Sequence, residues 1–263
     1  MRRPGAGDDG LMDPDSAAPA RSARTSLAEL ARGIVACGGR LSRSLGIDVG
    51  AGDAEIERWF MAATLFGTRI PTTVAERTFH VLDEAGVTPA TARAFSWDDL
   101  VALLDRGGYT RYDFKTATRL HDLCDVLVER YGGRVCAIPD DLVTPAELEQ
   151  ALDDLPGWGP VTVGIFLREL RGVWPLAAPA LDGRAAACAL HLGLVDHRAH
   201  DLLGSLRAMA TAAGVDSRDL EGALVRVALA HRRGFGACPG GRDCTALAHR
   251  VAAAPPPATT GAR

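Results

Sequence analysis

The residues best placed by type and spacing to do chemistry are Pro156-Gly157-Trp158-Gly159-Pro160-Val161-Thr162. Two glycines one residue apart permit a backbone with φ > 0 and close approach of a second molecule. A helix opens at Pro160, where a missing N–H costs nothing. The free N–H groups of that helix, and the positive end of its dipole, point toward the mouth of the turn. That is a phosphate site requiring no side-chain charge. Contacts of this kind position a nucleic acid without reading its bases. The same glycines also suit a plain tight turn between two core helices. A dinucleotide loop does not fit, because no strand precedes the turn and a third glycine is missing.

Other reactive groups are few. Lys115 is the sole lysine among 29 Lys+Arg, so any side-chain amine nucleophile has one candidate. A phosphate-binding loop of the lysine type is excluded on the same ground, and no Gly-Xaa-Ser-Xaa-Gly elbow occurs. Cys37, Cys124, Cys136, Cys188, Cys238 and Cys244 are scattered, unlike a compact disulfide framework. A reducing cytoplasm is the natural setting, and Cys37, Cys124 and Cys188 read as small core residues. Cys238, Cys244 and His249 offer three zinc ligands with His231 as a fourth, but the spacing matches no strong zinc pattern. No metal is therefore expected. The histidines at 191, 197, 200, 231 and 249 form no i,i+4 pair on one helix.

The elements that must position these residues are helical throughout. Residues 1–24 and 251–263 lack apolar periodicity and read as disordered tails. Between them, Ser26 can cap a first helix. Further helices are expected over about 54–66, 73–85, 112–131, 160–171, 183–192, 200–213 and 220–232. Thr88-Pro89 reads as another start. Ser96–Asp99 and Thr144–Glu147 fit capping boxes, and Gly107-Gly108 and Gly132-Gly133 fit helix stops. No alternating β pattern and no internal repeat is present.

The 33 Asp+Glu outweigh the cations, for a formal charge of -4. Nucleic-acid binding would then need a local arginine patch rather than global charge. No apolar run reaches the ~18 residues of a membrane helix, and the opening residues carry no secretory h-region.

Leu155-Pro156-Gly157-Trp158-Gly159-Pro160-Val161-Thr162 resembles the helix-hairpin-helix signature of the endonuclease III-like DNA glycosylase superfamily. Trp174-Pro175 followed by Pro179-Ala180-Leu181-Asp182-Gly183 resembles that superfamily's Gly-Pro-rich loop ending in Asp. Leu-Asp-Gly looks like the adenine-excising branch. The stretch 60–79 is similar to the family's early helix and the loop after it, and 107–120 and 129–142 to the helix and the acidic stretch that precede the hairpin. The resemblance covers about residues 50–185, and the rest more loosely.

The resemblance implies an all-α, two-lobed glycosylase fold. Residues 50–182 would form the hairpin lobe, and 25–49 with 183–250 the second lobe. Double-stranded DNA would lie in the cleft between them, docked through Gly157, Trp158, Gly159, Pro160, Val161 and Thr162. Trp158 could stack on a sugar, although packing beneath the hairpin suits it better. Asp182 would be catalytic, stabilising an oxocarbenium ion and orienting water; it also suits a plain helix cap.

Departures from the family pattern matter as much. Lyase-active members carry lysine where this chain has Val161, so Schiff-base chemistry is not expected. Lys115 falls on the preceding helix, as a solvated lysine. Thr68 stands nearest the family's base-gap glutamine and is too short to replace it. Arg69 or Ile70 could act as the wedge. Only Cys238 and Cys244 match the family's cluster-binding cysteines, so an iron–sulfur cluster is not expected. The implied protein is a cytoplasmic, nucleoid-associated, monomeric, monofunctional glycosylase of base-excision repair. A catalytically inactive DNA-binding relative is the alternative.

Overall fold

The computed structural model describes residues 18–232 and 234–247, which excludes most of both expected tails and His249. The fold is all-α. In chain order the helices are α1 (Ala18–Ala36), α2 (Leu41–Ser44), α3 (Asp53–Phe66), α4 (Thr72–Glu84), α5 (Trp97–Gly107), α6 (Asp113–Tyr131), α7 (Pro145–Asp153), α8 (Pro160–Leu170), α9 (Gly183–His191), α10 (Leu202–Ala213) and α11 (Ser217–Ala230). Among the described residues there is no strand, only an isolated bridge between Arg171 and Trp174. No helix among them is long and apolar enough to cross a membrane.

Local chemistry explains most boundaries. Ser96 accepts from the Asp99 N–H and Asp99 answers at the Ser96 N–H, which starts α5. Thr144 and Glu147 do the same for α7, with Pro145 at its first position. Gly108 and Gly132 end α5 and α6 in the left-handed region.

Two expected starts are corrected. Ser26 caps nothing, because α1 already begins at Ala18; the preceding segment is rich in alanine and arginine, both strong helix formers. Thr88-Pro89 opens no α-helix. The Thr88 and Thr91 hydroxyls bond each other and each other's backbone N–H, closing a local turn that leads only into a 3₁₀ turn over Ala92–Ala94.

The buried apolar residues fall into two clusters. One runs from Leu45 to Ala177 and is built on α3 through α8, with Trp59, Phe60, Phe79 and Phe166 fully enclosed. The other joins Ala28, Ala31 and Ile34 of α1 to residues of α9–α11 and to Leu247. Leu45, Ile47 and Val49 pack with the hairpin cluster, so the first core reaches a few residues ahead of residue 50.

Polar groups stitch the clusters together. Glu169, near the end of α8, is fully enclosed and accepts from the N–H groups of Leu41 (2.9 Å) and Ser42 (3.1 Å), fixing α2. Burial pushes its carboxyl up, against the pull of Arg168 and those donors. Buried Arg40 donates to Asp219 of α11 at 3.0 Å. Buried Arg171 pairs with Glu221 of α11 and also donates to the carbonyls of Pro179 (2.9 Å) and Ala180 (3.0 Å). The segment between α8 and α9 is thereby held on the second cluster.

Candidate active site

The hairpin is the turn between α7 and α8. Gly157 has φ +81, so glycine is required by conformation, and an added Cβ, 2.8 Å from Arg119 Cδ, would also make that α6 side chain shift. Gly159 differs. Its backbone is extended and an added Cβ would meet nothing within 4 Å, so no intramolecular contact demands glycine there. It caps α8 without any side-chain bond, which leaves the N–H groups of that first turn to an outside acceptor.

The members of the expected DNA-contacting set are not equivalent. Val161 is 60% exposed. Thr162 turns its side chain inward against Gly67, at the end of α3, so it can offer only its backbone N–H. The Trp158 side chain packs beneath the hairpin, as its favoured reading had it, and does not stack on a sugar. It is 8% exposed, stacks on Phe60 at 4.3 Å, meets Phe166 edge-on and donates from Nε1 to Thr64 at 3.1 Å. An indole so enclosed on the protein side cannot also stack on a sugar.

Asp182 is the N-cap of α9. Its Oδ1 accepts from the N–H groups of Arg184 (2.7 Å) and Ala185 (3.3 Å). Its Oδ2 lies 3.7 Å from Nη1 of buried Arg168, and the side chain remains 26% exposed. Its own N–H donates to Glu221 at 3.1 Å. The carboxylate is thus fixed by one oxygen, at a helix N-terminus and beside a buried guanidinium. The second oxygen is bound by no backbone N–H and can orient water. Cap and reactive carboxylate are compatible roles for this residue.

Asp182 and Val161 line the same cleft, of about 980 Å³, together with Thr68, Arg69, Arg168 and Arg184. These come from the loop after α3, the start and body of α8, and the start of α9. Thr68 is pinned by its hydroxyl to the Leu65 carbonyl (2.8 Å) and to the Tyr109 hydroxyl. Arg69 is exposed and makes no ion pair among the described residues. Ile70 lines the cleft beside it. Lys115 is exposed on α6 and does not line the cleft. The expected arginine patch is not found at the cleft: Arg69, Arg168 and Arg184 share it with Glu149, Asp153, Asp182 and Glu221. Sequence reasoning missed Arg168 and Glu221, since only folding brings them to Asp182.

At the other end of α9, His191 meets His231, Cys238 and Cys244, with one ligand atom of each within 4.8 Å of all the others. The sequence pattern groups His231, Cys238 and Cys244 with His249, which lies outside the described residues. A four-cysteine iron–sulfur cluster does not fit this set, which has two thiols and two imidazoles.

No family model matches the chain, and no curated protein does. Among solved structures, the chain is similar to one described as a trapped endonuclease III–DNA covalent intermediate in an estranged-adenine complex. Identity is 18%, the alignment covers 73% of this chain and 84% of that one, and the TM-score is 0.43.

Proposed function

We propose that this protein is a monofunctional DNA glycosylase that hydrolyses the N-glycosidic bond of a damaged or mispaired base. The observation that carries the proposal is the shared cleft: the exposed start of the hairpin helix at Val161 and the fixed carboxylate of Asp182 line it together. A phosphate of double-stranded DNA accepts from the N–H groups at the start of α8, and the open side of Gly159 lets the backbone come close. The nucleotide to be repaired leaves the stack and enters the cleft, with Arg69 or Ile70 at the vacated position.

The C1′–N bond then breaks with its electron pair leaving on the base. Positive charge develops on the sugar and is stabilised by Asp182. A water oriented by the same carboxylate adds its OH to C1′, and its proton ends on the departed base. An abasic site remains for another enzyme. Val161 carries no amine, so this route forms no Schiff base. The protein acts as a monomer in the cytoplasm, at the nucleoid, in base-excision repair.

The test is incubation with labelled duplexes holding uracil, oxidised, alkylated or A-mismatched bases, followed by alkali. The expected result is alkali-dependent nicking of at least one duplex, lost in Asp182→Asn, which keeps a capping side chain. Binding without nicking on every duplex would instead identify a catalytically inactive relative.

A further inference from the structure

The cluster at the C-terminal end of α9 lies outside the cleft and takes no part in the proposed reaction. His191 is the last residue of α9, and His231 follows the end of α11. Cys238 and Cys244 flank the turn Pro239-Gly240-Gly241-Arg242-Asp243. Their four ligand atoms lie within 4.8 Å of one another. Tetrahedral zinc, with bonds of about 2.0–2.3 Å, sets its ligand atoms roughly 3.3–3.8 Å apart. Small side-chain movements would therefore close the set around a single ion.

The hydrogen bonding around the set favours ligation. The Nδ1 of His231 lies 2.9 Å from the Val227 carbonyl, which can only accept, so Nδ1 carries the proton. Nε2 then carries the lone pair, which it offers to Cys244 Sγ at 3.4 Å. A metal-binding histidine is commonly oriented in this way through its other nitrogen. His191 Nε2 is buried and has no hydrogen-bond partner, which is costly for an imidazole nitrogen unless something binds it.

The surrounding shell is built as closely. Phe235 stacks on His191 at 4.4 Å and lies 4.7 Å from the His231 ring. Gly240 has φ +75, and a Cβ there would stand 2.5 Å from the His191 carbonyl and 3.3 Å from its Nδ1, so only glycine lets the loop close on this histidine. Cys238 Sγ accepts from the Thr245 N–H and hydroxyl at 3.4 and 3.5 Å, contacts that suit a thiolate.

We infer that His191, His231, Cys238 and Cys244 form a structural zinc site that fastens the C-terminal loop to the ends of α9 and α11. Two thiolates with two imidazoles select zinc over oxygen-seeking cations. Four protein ligands leave no open position, so the ion is structural rather than catalytic. Its effect on Asp182, at the opposite end of α9, is to hold that helix in place. This inference stands apart from the glycosylase proposal, since metal binding is measured without any DNA.

The experiment uses the full chain, reduced, stripped with chelator and titrated with Co²⁺ and then Zn²⁺. The expected result is one equivalent of cobalt, giving intense tetrahedral d–d bands and a thiolate-to-cobalt band, both bleached by zinc. Cys238→Ser and His191→Ala should each weaken binding by at least the roughly 10–100-fold that even a second-shell partner contributes. His249→Ala should change nothing. Weak octahedral bands alone, a spectrum indifferent to both ligand variants, or iron with inorganic sulfide in the purified protein would overturn the site. If the variants fail to fold, the stoichiometry and spectrum of the wild-type chain decide the matter.

Discussion

At the scale of single residues, the hairpin glycines separate folding from binding. Gly157→Ala forces a side chain into φ +81 against Arg119 and should cost roughly 1–2 kcal/mol of stability in denaturant melts. Gly159→Ala meets open space in an extended backbone, so its cost should stay under about 1 kcal/mol. Its effect should appear in DNA affinity, by roughly the 10–100-fold that a lost charged hydrogen bond is worth. The reverse pattern would show that the hairpin is only a turn. Val161→Lys supplies the amine this chain lacks, on the cleft that holds Asp182. A borohydride-trapped adduct with a substrate duplex is expected for Val161→Lys and not for wild type; no adduct would place C1′ away from that corner. The hairpin itself was legible because its glycines and proline act through the backbone, where spacing alone sets geometry. The identity of Trp158's neighbours was not, because Phe60 and Thr64 lie far away in sequence.

At the scale of elements, α3 and α8 are the pair on which the site rests. Trp158, Phe60 and Phe166 interlock between them, and Trp59 Nε1 donates to the Phe166 carbonyl at 3.2 Å. Trp158→Ala should cost about 3–5 kcal/mol, and Trp158→Phe closer to about 1 kcal/mol, for the lost bond to Thr64. DNA affinity measured on the folded fraction of Trp158→Phe should match wild type, since the indole faces inward; a large loss would contradict its placement. Helix limits were readable wherever a side chain caps its own helix, as Ser96 and Thr144 do. They were misread at Thr88, where two hydroxyls compete with the helix for the same N–H groups, and at Ser26, where good helix formers simply continue.

At the scale of the whole molecule, two cores meet across buried charges. Asp216 caps α11, pairs with Arg218 and lies 3.6 Å from Arg40 of the first segment. Burial pushes its carboxyl up, but the Arg218 bonds and the Arg218 and Arg40 charges outweigh that and hold it below the ordinary aspartate value. The stability gained is complete above the ordinary carboxylate pKa and is lost as pH falls through the lowered one. Asp216→Asn keeps the cap and loses the charge. Its stability should therefore fall less than that of wild type between about pH 7 and about pH 3; parallel acid limbs would assign that loss to other carboxylates. The all-helical class was legible from periodicity. The partnership of Asp182 with Arg168 and Glu221, and the arrival of His191 beside Cys238 and Cys244, were not, because these contacts exist only once the second core has formed.

On the proposed route the cleft breaks a glycosidic bond with water and Asp182 rather than with an amine. The most direct measurement follows one labelled substrate duplex in the presence of borohydride, assaying free base, strand integrity and protein–DNA adduct together. Released base, an intact abasic strand and no adduct are expected. A covalent adduct, or no free base from any lesion duplex, would contradict that route.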